Sequence, residues 1–254
     1  MKDPWFELRR YTQARIGQGR AGCATPTSAQ LDFQLAHAMA RDAVHQTWSV
    51  SDFADSLSVL GRESMVLSTP VASREQYLQR PDLGRCLDQN SRHLLQSHAS
   101  AGTDVALIVS NGLSSTAVDR HGIGLLEAIL AAYADCSLSI GPLCLVPNAR
   151  VALSGEIGSL LKARLAVMIV GERPGLSAAD SLGIYLTYAP SPGNTDAERN
   201  CLSNIRPPEG LSYRVAAAKL AYLSQRALQL RFSGVALKDD MLSHQLESSL
   251  ITRD

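Results

Sequence analysis

Glu172 and Arg173 are the residues whose setting most invites chemistry. They lie in LAVMIVGERPG (165–175), where an apolar run stops at Gly171 and two charged side chains follow, closed off by Pro174 and Gly175. Glycine lets backbone approach a ligand closely, and Pro174 can open a helix whose free N–H groups point outward. A charged turn of this kind at a strand's end can hold a polar ligand. Other chemistry is sparse. GQGRAG (17–22) fits GxGxxG, but the preceding TQARI is polar and Pro26 interrupts any helix directly after it, so it reads as a basic loop. The six histidines form no HExxH or HxH grouping, so no metal site is expected, and there is neither a GxSxG elbow nor a GxxxxGK[ST] loop. These features suggest a binding domain more than a self-sufficient catalyst.

The elements that must carry GERPG follow from periodicity. Residues 1–98 read as helical, with Leu31, Leu35, Ala38 and Ala43 near one face of a helix inside 27–48, and Leu87, Leu94 and Leu95 supporting another. From 99 to 238 the pattern alternates. VALIVS (105–110), LCLV (143–146), LAVMIV (165–170) and GIYLTY (183–188) read as strands, with helices over 113–132, 154–164 and 212–232. Strands this apolar are covered on both faces, which predicts an α/β fold with a parallel, doubly wound sheet. The junction is QSHASAGT (96–103), and residues 239–254 form a tail. In such sheets ligands bind outside the carboxyl ends of strands, where VSNGLSS and VGERPGLS fall. Asp119, His121 and Gly124 match DxHxxG, a spacing that places a loop histidine on the cobalt of a base-detached B12. Here both Asp119 and His121 fall inside the helix, so His121 is read as a helix-surface residue.

Charges balance to zero, so no broad field draws the chain to nucleic acid or acidic lipid. The five cysteines are scattered, odd in number and never CxxC, which implies a reducing cytoplasm. No run approaches a membrane span, and MKDPWFELRR lacks a signal-peptide core.

Several phrases, in order, carry a resemblance: ARIGQGRAG (14–22), DFQLAHAMARDAVH (32–45), YLQRPDLGRCL (77–87), VSNGLSSTAV (109–118), IVGERPGLSAADSLGIYLTY (169–188) and DAERNCLSNIRPPEGLSYRVAAAKLAYL (196–223). Over roughly residues 8–237 the chain resembles the small (light) subunit of ethanolamine ammonia-lyase, an adenosylcobalamin-dependent enzyme. The resemblance implies a Rossmann-like domain preceded by a helical N-terminal region, clasping base-on cobalamin together with a large subunit that holds ethanolamine. It also implies homolysis of the cobalt–carbon bond, hydrogen abstraction by the adenosyl radical, amino-group migration and release of acetaldehyde and ammonia. Catalytic residues are expected on the large subunit. The family's cobalamin contacts carry over to Val151, Glu172 and Cys201. Asn111 stands where the family commonly has Asp. MLSHQLESSLITRD (241–254) runs past the usual family end and reads as a frayed helix or tail. The longer N-terminal extension used for packaging is missing, which leaves location in a bacterial microcompartment open. Two other readings are a stand-alone cobalamin carrier using Asp119 and His121, and a nucleotide-dependent oxidoreductase using GQGRAG.

Overall fold

The computed structural model describes residues 3–58, 61, 64–98 and 102–241. The tail read from MLSHQLESSLITRD lies, after Met241, outside the described residues. Six strands form one sheet: β1 (Ser64–Val66), β2 (Val105–Ser110), β3 (Leu143–Leu145), β4 (Leu165–Gly171), β5 (Leu182–Tyr188) and β6 (Arg199–Ile205), in the order β1-β3-β2-β4-β5-β6. The helices are α1 (Thr27–His45), α2 (Val50–Ser58), α3 (Arg74–Gln79), α4 (Gln89–His98), α5 (Ser115–Asp135), α6 (Leu153–Leu160) and α7 (Tyr213–Leu230).

β2 and β4 are buried at every position because both faces of the sheet are covered. Val105, Leu107, Val109, Val167 and Ile169 join the core under α5 and α7, while Ala106, Ile108, Met168 and Val170 join the one under α6. Side-chain alternation along a strand makes that division, so an apolar run with no period of its own still feeds two cores. The Ser114 hydroxyl caps α5 by accepting from the Ala117 N–H at 3.2 Å. Among the described residues no helix is long and apolar enough to cross a membrane.

Four expectations need correction. The sheet is mixed: β1 to β4 pair in parallel, but β5 and β6 run antiparallel. A parallel crossover needs a dozen or more residues, usually with a helix, and the link from β4 to β5 is too short for one. Pro174 accordingly starts no helix, and the chain turns straight back. RNCLSNI, not foreseen as a strand, is β6, an edge strand on which Cys201, Ser203 and Asn204 are exposed while Arg199 is buried. β1 lies inside the stretch read as helical and supplies the opposite edge. Finally, α1 forms, but Leu31 and Leu35 stay 58% and 63% exposed, and of its residues only Ala43 is buried.

Arg74 ties the N-terminal segments to the strand ends. Its guanidinium donates to the carbonyls of Val44 (2.7 Å) and Gly112 (2.6 Å) and to Asn148 Oδ1 (3.0 Å), and the residue is 8% exposed. Burial lowers its pKa, partly countered by Tyr77, whose ring lies 5.0 Å from the guanidinium carbon. Arg74→Met removes three hydrogen bonds from a charged donor and should cost about 3 kcal/mol, read as a lower urea midpoint at unchanged m-value. An unchanged midpoint would refute this role.

Candidate functional site

The chain leaves β2 towards β3 on one side and returns through α6 to β4 on the other, so the carboxyl ends of β2 and β4 flank the switch point of the sheet. Open α/β sheets place ligands at such a point. A cleft of about 400 Å³ lies here, lined by Gly112, Val151, Gly171, Glu172, Tyr185 and Ser203 among others. The two loops read separately from sequence meet in it. The Leu113 N–H donates to the Gly171 carbonyl at 2.9 Å. A Cβ on Gly171 would lie 2.2 Å from the Ser114 carbonyl oxygen, so no larger residue fits the crossing.

Glu172 is held by an irregularity in the sheet. Leu182 pairs with Ile205 and Ile184 with Leu202, so Gly183 stands opposite two residues, Ser203 and Asn204, in a β-bulge. Asn204 takes the left-handed conformation, with φ of 57°. The bulge turns donors onto the carboxylate: Ser203 Oγ to Oε1 at 2.5 Å, and the Asn204 N–H to Oε2 at 3.2 Å. Ser181 Oγ adds a third at 2.7 Å to Oε2. The side chain lies across Gly183, where a Cβ would sit 3.0 Å from Oε1. Two acceptor directions of Oε2 are filled and one of Oε1 remains for a ligand.

Cys201 stands directly across the ladder from Tyr185, which lines the cleft. Cys201 is exposed overall, but partial desolvation of its thiol beside Tyr185, helped by the charge of Glu172, raises its pKa. Burial, with Cys201 alongside, pushes Tyr185 up to about 12. Val151 lines the cleft just before α6, and its carbonyl already accepts from the Ser154 amide (3.1 Å) and hydroxyl (2.8 Å). With both lone pairs of that carbonyl used, the residue offers the cleft its apolar side chain. All three residues named from sequence therefore converge on one cleft or its rim.

The facing wall went unread. Tyr77 packs between two guanidiniums, Arg74 at 5.0 Å and Arg150 at 4.0 Å from the ring centre, and its hydroxyl donates to the Ala149 carbonyl at 3.1 Å. Ser203 and Tyr185 were missed too; the i, i+2 spacing of Cys201 and Ser203 was the signal, masked by the polarity of the strand. Asn111 is buried and joins strand ends: Oδ1 accepts from the Asn148 N–H at 2.7 Å and Nδ2 donates to Ser115 Oγ at 3.1 Å.

His121 lies on the opposite face of the sheet. It is buried at 7% exposure, not on the helix surface as expected, because α5 packs against α7 there. Its Nδ1 is 2.7 Å from the Tyr213 hydroxyl and its Nε2 3.5 Å from Asp180 Oδ2. Asp180 also meets Arg120 at 2.8 Å and Arg206 at 3.6 Å. Burial would raise the Asp180 carboxyl, but the Arg120 hydrogen bond and the surrounding cations more than offset it and hold its pKa down. Burial, reinforced by Arg120 and Arg206, lowers the pKa of His121 despite Asp180. Asp119, its partner in DxHxxG, is exposed and accepts from Gln46 Nε2 at 2.8 Å. No cluster of metal-ligating side chains occurs among the described residues.

Fold and cleft together define an α/β chain with an open cleft at the switch point of a six-stranded mixed sheet. The chain belongs to the ethanolamine ammonia-lyase light chain (EutC) family, whose model matches residues 2–238. It is 51% identical over 249 residues to the ethanolamine ammonia-lyase small subunit of a Pseudomonas putida strain, covering 97% of this chain and 91% of that one. Small subunits from Pseudomonas fluorescens (49% identical; 97% and 90% covered) and Pseudomonas syringae pv. tomato (48%; 97% and 86%) are similar over the same span. It is thus the smaller chain of a lyase that acts with a large subunit.

The Asp180 cluster sets an acid limit. The lowered pKa of His121 means that the unfolded chain binds more protons just below pH ~6.5, so stability falls as pH drops through that window. Asp180 acts in the same sense, its contribution being lost only as pH falls through its own depressed value. In urea titrations, His121→Gln should flatten the slope just below pH ~6.5 and leave the more acidic limb. An unaltered slope in that window would contradict the assignment.

Proposed function

We propose that this chain clasps adenosylcobalamin, lower base still attached to cobalt, in the Glu172 cleft, and that the large subunit of ethanolamine ammonia-lyase closes over the exposed remainder. The observation that carries this is the fixed carboxylate at the switch point, with one acceptor direction left over. The corrin periphery bears carboxamides, whose N–H groups suit that oxygen. Val151 offers apolar contact, and Cys201, an uncharged polarizable side chain, suits packing against a flat ring. A cleft this small and open takes only one edge of so large a cofactor, which calls for a second polypeptide. A base-detached carrier is disfavoured, because His121 is walled off from the cleft by the sheet itself.

The chemistry supplied by bound adenosylcobalamin is a radical one, turning ethanolamine into acetaldehyde and ammonia. This chain contributes orientation of the cofactor and exclusion of water from its edge. Glu172 is committed to three donors of this chain, and the groups that handle substrate are assigned to the large subunit. The face towards that subunit runs from the cleft across exposed Leu176, which shares a depression with Phe33 of α1. The free state of all five cysteines accords with work in the reducing cytoplasm or a microcompartment within it.

Mixing this chain with a large subunit, ethanolamine and adenosylcobalamin should release acetaldehyde; no gain over the large subunit alone would defeat the proposal. Within that complex, Glu172→Ala should weaken cobalamin binding about tenfold, the loss of one charged hydrogen bond, with little change in melting temperature. Unchanged affinity would reduce GERPG to a turn.

A further inference from the structure

We infer that Asp180 is a positioning residue for Glu172, acting through the sheet from its opposite face. The inference rests on the reading of Glu172 as a cofactor contact. The last rung between β4 and β5 is the Glu172 N–H donating to the Ser181 carbonyl at 3.0 Å. Ser181 is also the residue whose hydroxyl donates to Glu172 Oε2. Alternation along the strand sends the Ser181 side chain to the cleft face and that of its neighbour Asp180 to the face covered by α5 and α7. There Asp180 is gripped by Arg120 from α5, by His121 from α5 and by Arg206 from the segment after β6. The same face holds the adjoining backbone: Ser114 Oγ donates to the Ala179 carbonyl at 2.9 Å, and Arg206 Nη2 to the Ser177 carbonyl at 3.2 Å.

The turn between β4 and β5 has no helix to stiffen it, and beyond the Glu172–Ser181 bonds at its base its internal hydrogen bonds join only Gly175 and Ala178. Its position is therefore set from outside. Arg206 follows directly on β6, the strand whose bulge supplies Ser203 and Asn204, so the grip on Asp180 also aligns the bulge with Ser181. Three donors from two separate segments then meet one carboxylate. With the charge of Asp180 removed, Arg120 and Arg206 lose their common anion, Ser181 is no longer fixed from behind, and Glu172 shifts off the bulge. Glu209, 3.6 Å from Arg206, and Tyr213, 2.7 Å from His121, complete the groups facing this cluster.

The test uses the complex with the large subunit and two readouts. In the cofactor-free complex, hydrogen exchange of peptides spanning 199–206 reports the Asn204 N–H bond to Glu172. Asp180→Asn should speed that exchange as much as Glu172→Ala does, and Asp180→Asn added to Glu172→Ala should speed it no further. Cyanocobalamin titration followed by absorbance should show about a tenfold weaker affinity for each single variant and a double variant no worse than either, because both changes remove one contact. Unchanged exchange in Asp180→Asn, or losses of affinity that multiply in the double variant, would overturn the positioning role. Normal affinity in Glu172→Ala beside accelerated exchange in Asp180→Asn would instead sustain the lever and remove the cofactor-contact reading.

Discussion

A carboxylate placed where a sheet ends must find donors, and a regular ladder has none to spare, since its N–H groups are already committed to neighbouring strands. Glu172 is accommodated because β6 carries one residue too many opposite Gly183. The bulge releases the Asn204 N–H from the ladder and aims it, with the Ser203 hydroxyl, at the charge. Gly183 leaves the flat space over which the side chain lies. GERPG in this chain is thus more than a charged turn. Its acid is locked into the sheet, and what it presents to a ligand is a single oriented oxygen.

That arrangement makes the two faces of the sheet unequal. One carries the cleft, with Tyr185, Val151 and the Tyr77 wall. The other carries α5, α7 and a buried knot of charge around Asp180. The two communicate only through the strand ends, where side chains alternate and where Gly112 and Gly171 bring the backbones into contact. His121 belongs wholly to the second face, which is why a motif that looks like a cobalt ligand in one dimension has no access to the cleft in three. The cleft itself is open along one side, which suits the proposal that a large subunit closes over it.

Much of this was legible in residue order. β2 and β4 could be read because strands buried on both faces are apolar throughout. α5 and α7 could be read because each packs a stripe of Ala and Leu. Glu172, Cys201 and Val151 were named together only through resemblance, since no local signal links residues so far apart. The failures share a cause. β6 has exposed polar positions, β1 is three residues long, and α1 has an apolar stripe that this chain leaves uncovered, so periodicity either fell silent or marked a face that the fold does not bury.

By itself the sequence determined that an apolar strand would stop at Gly171 with a charged pair beyond it, and its long phrases carried the family likeness. Tertiary structure alone decided that β5 returns antiparallel, that residues 172, 181, 203 and 204 meet at one carboxylate, and that Asp180 meets Arg120, His121 and Arg206 on the opposite face. The physical reason is that hydrophobic runs are written locally in the chain. The direction of a return strand and the register of a bulge are settled only when short connections, close glycine contacts and buried charges must be satisfied together.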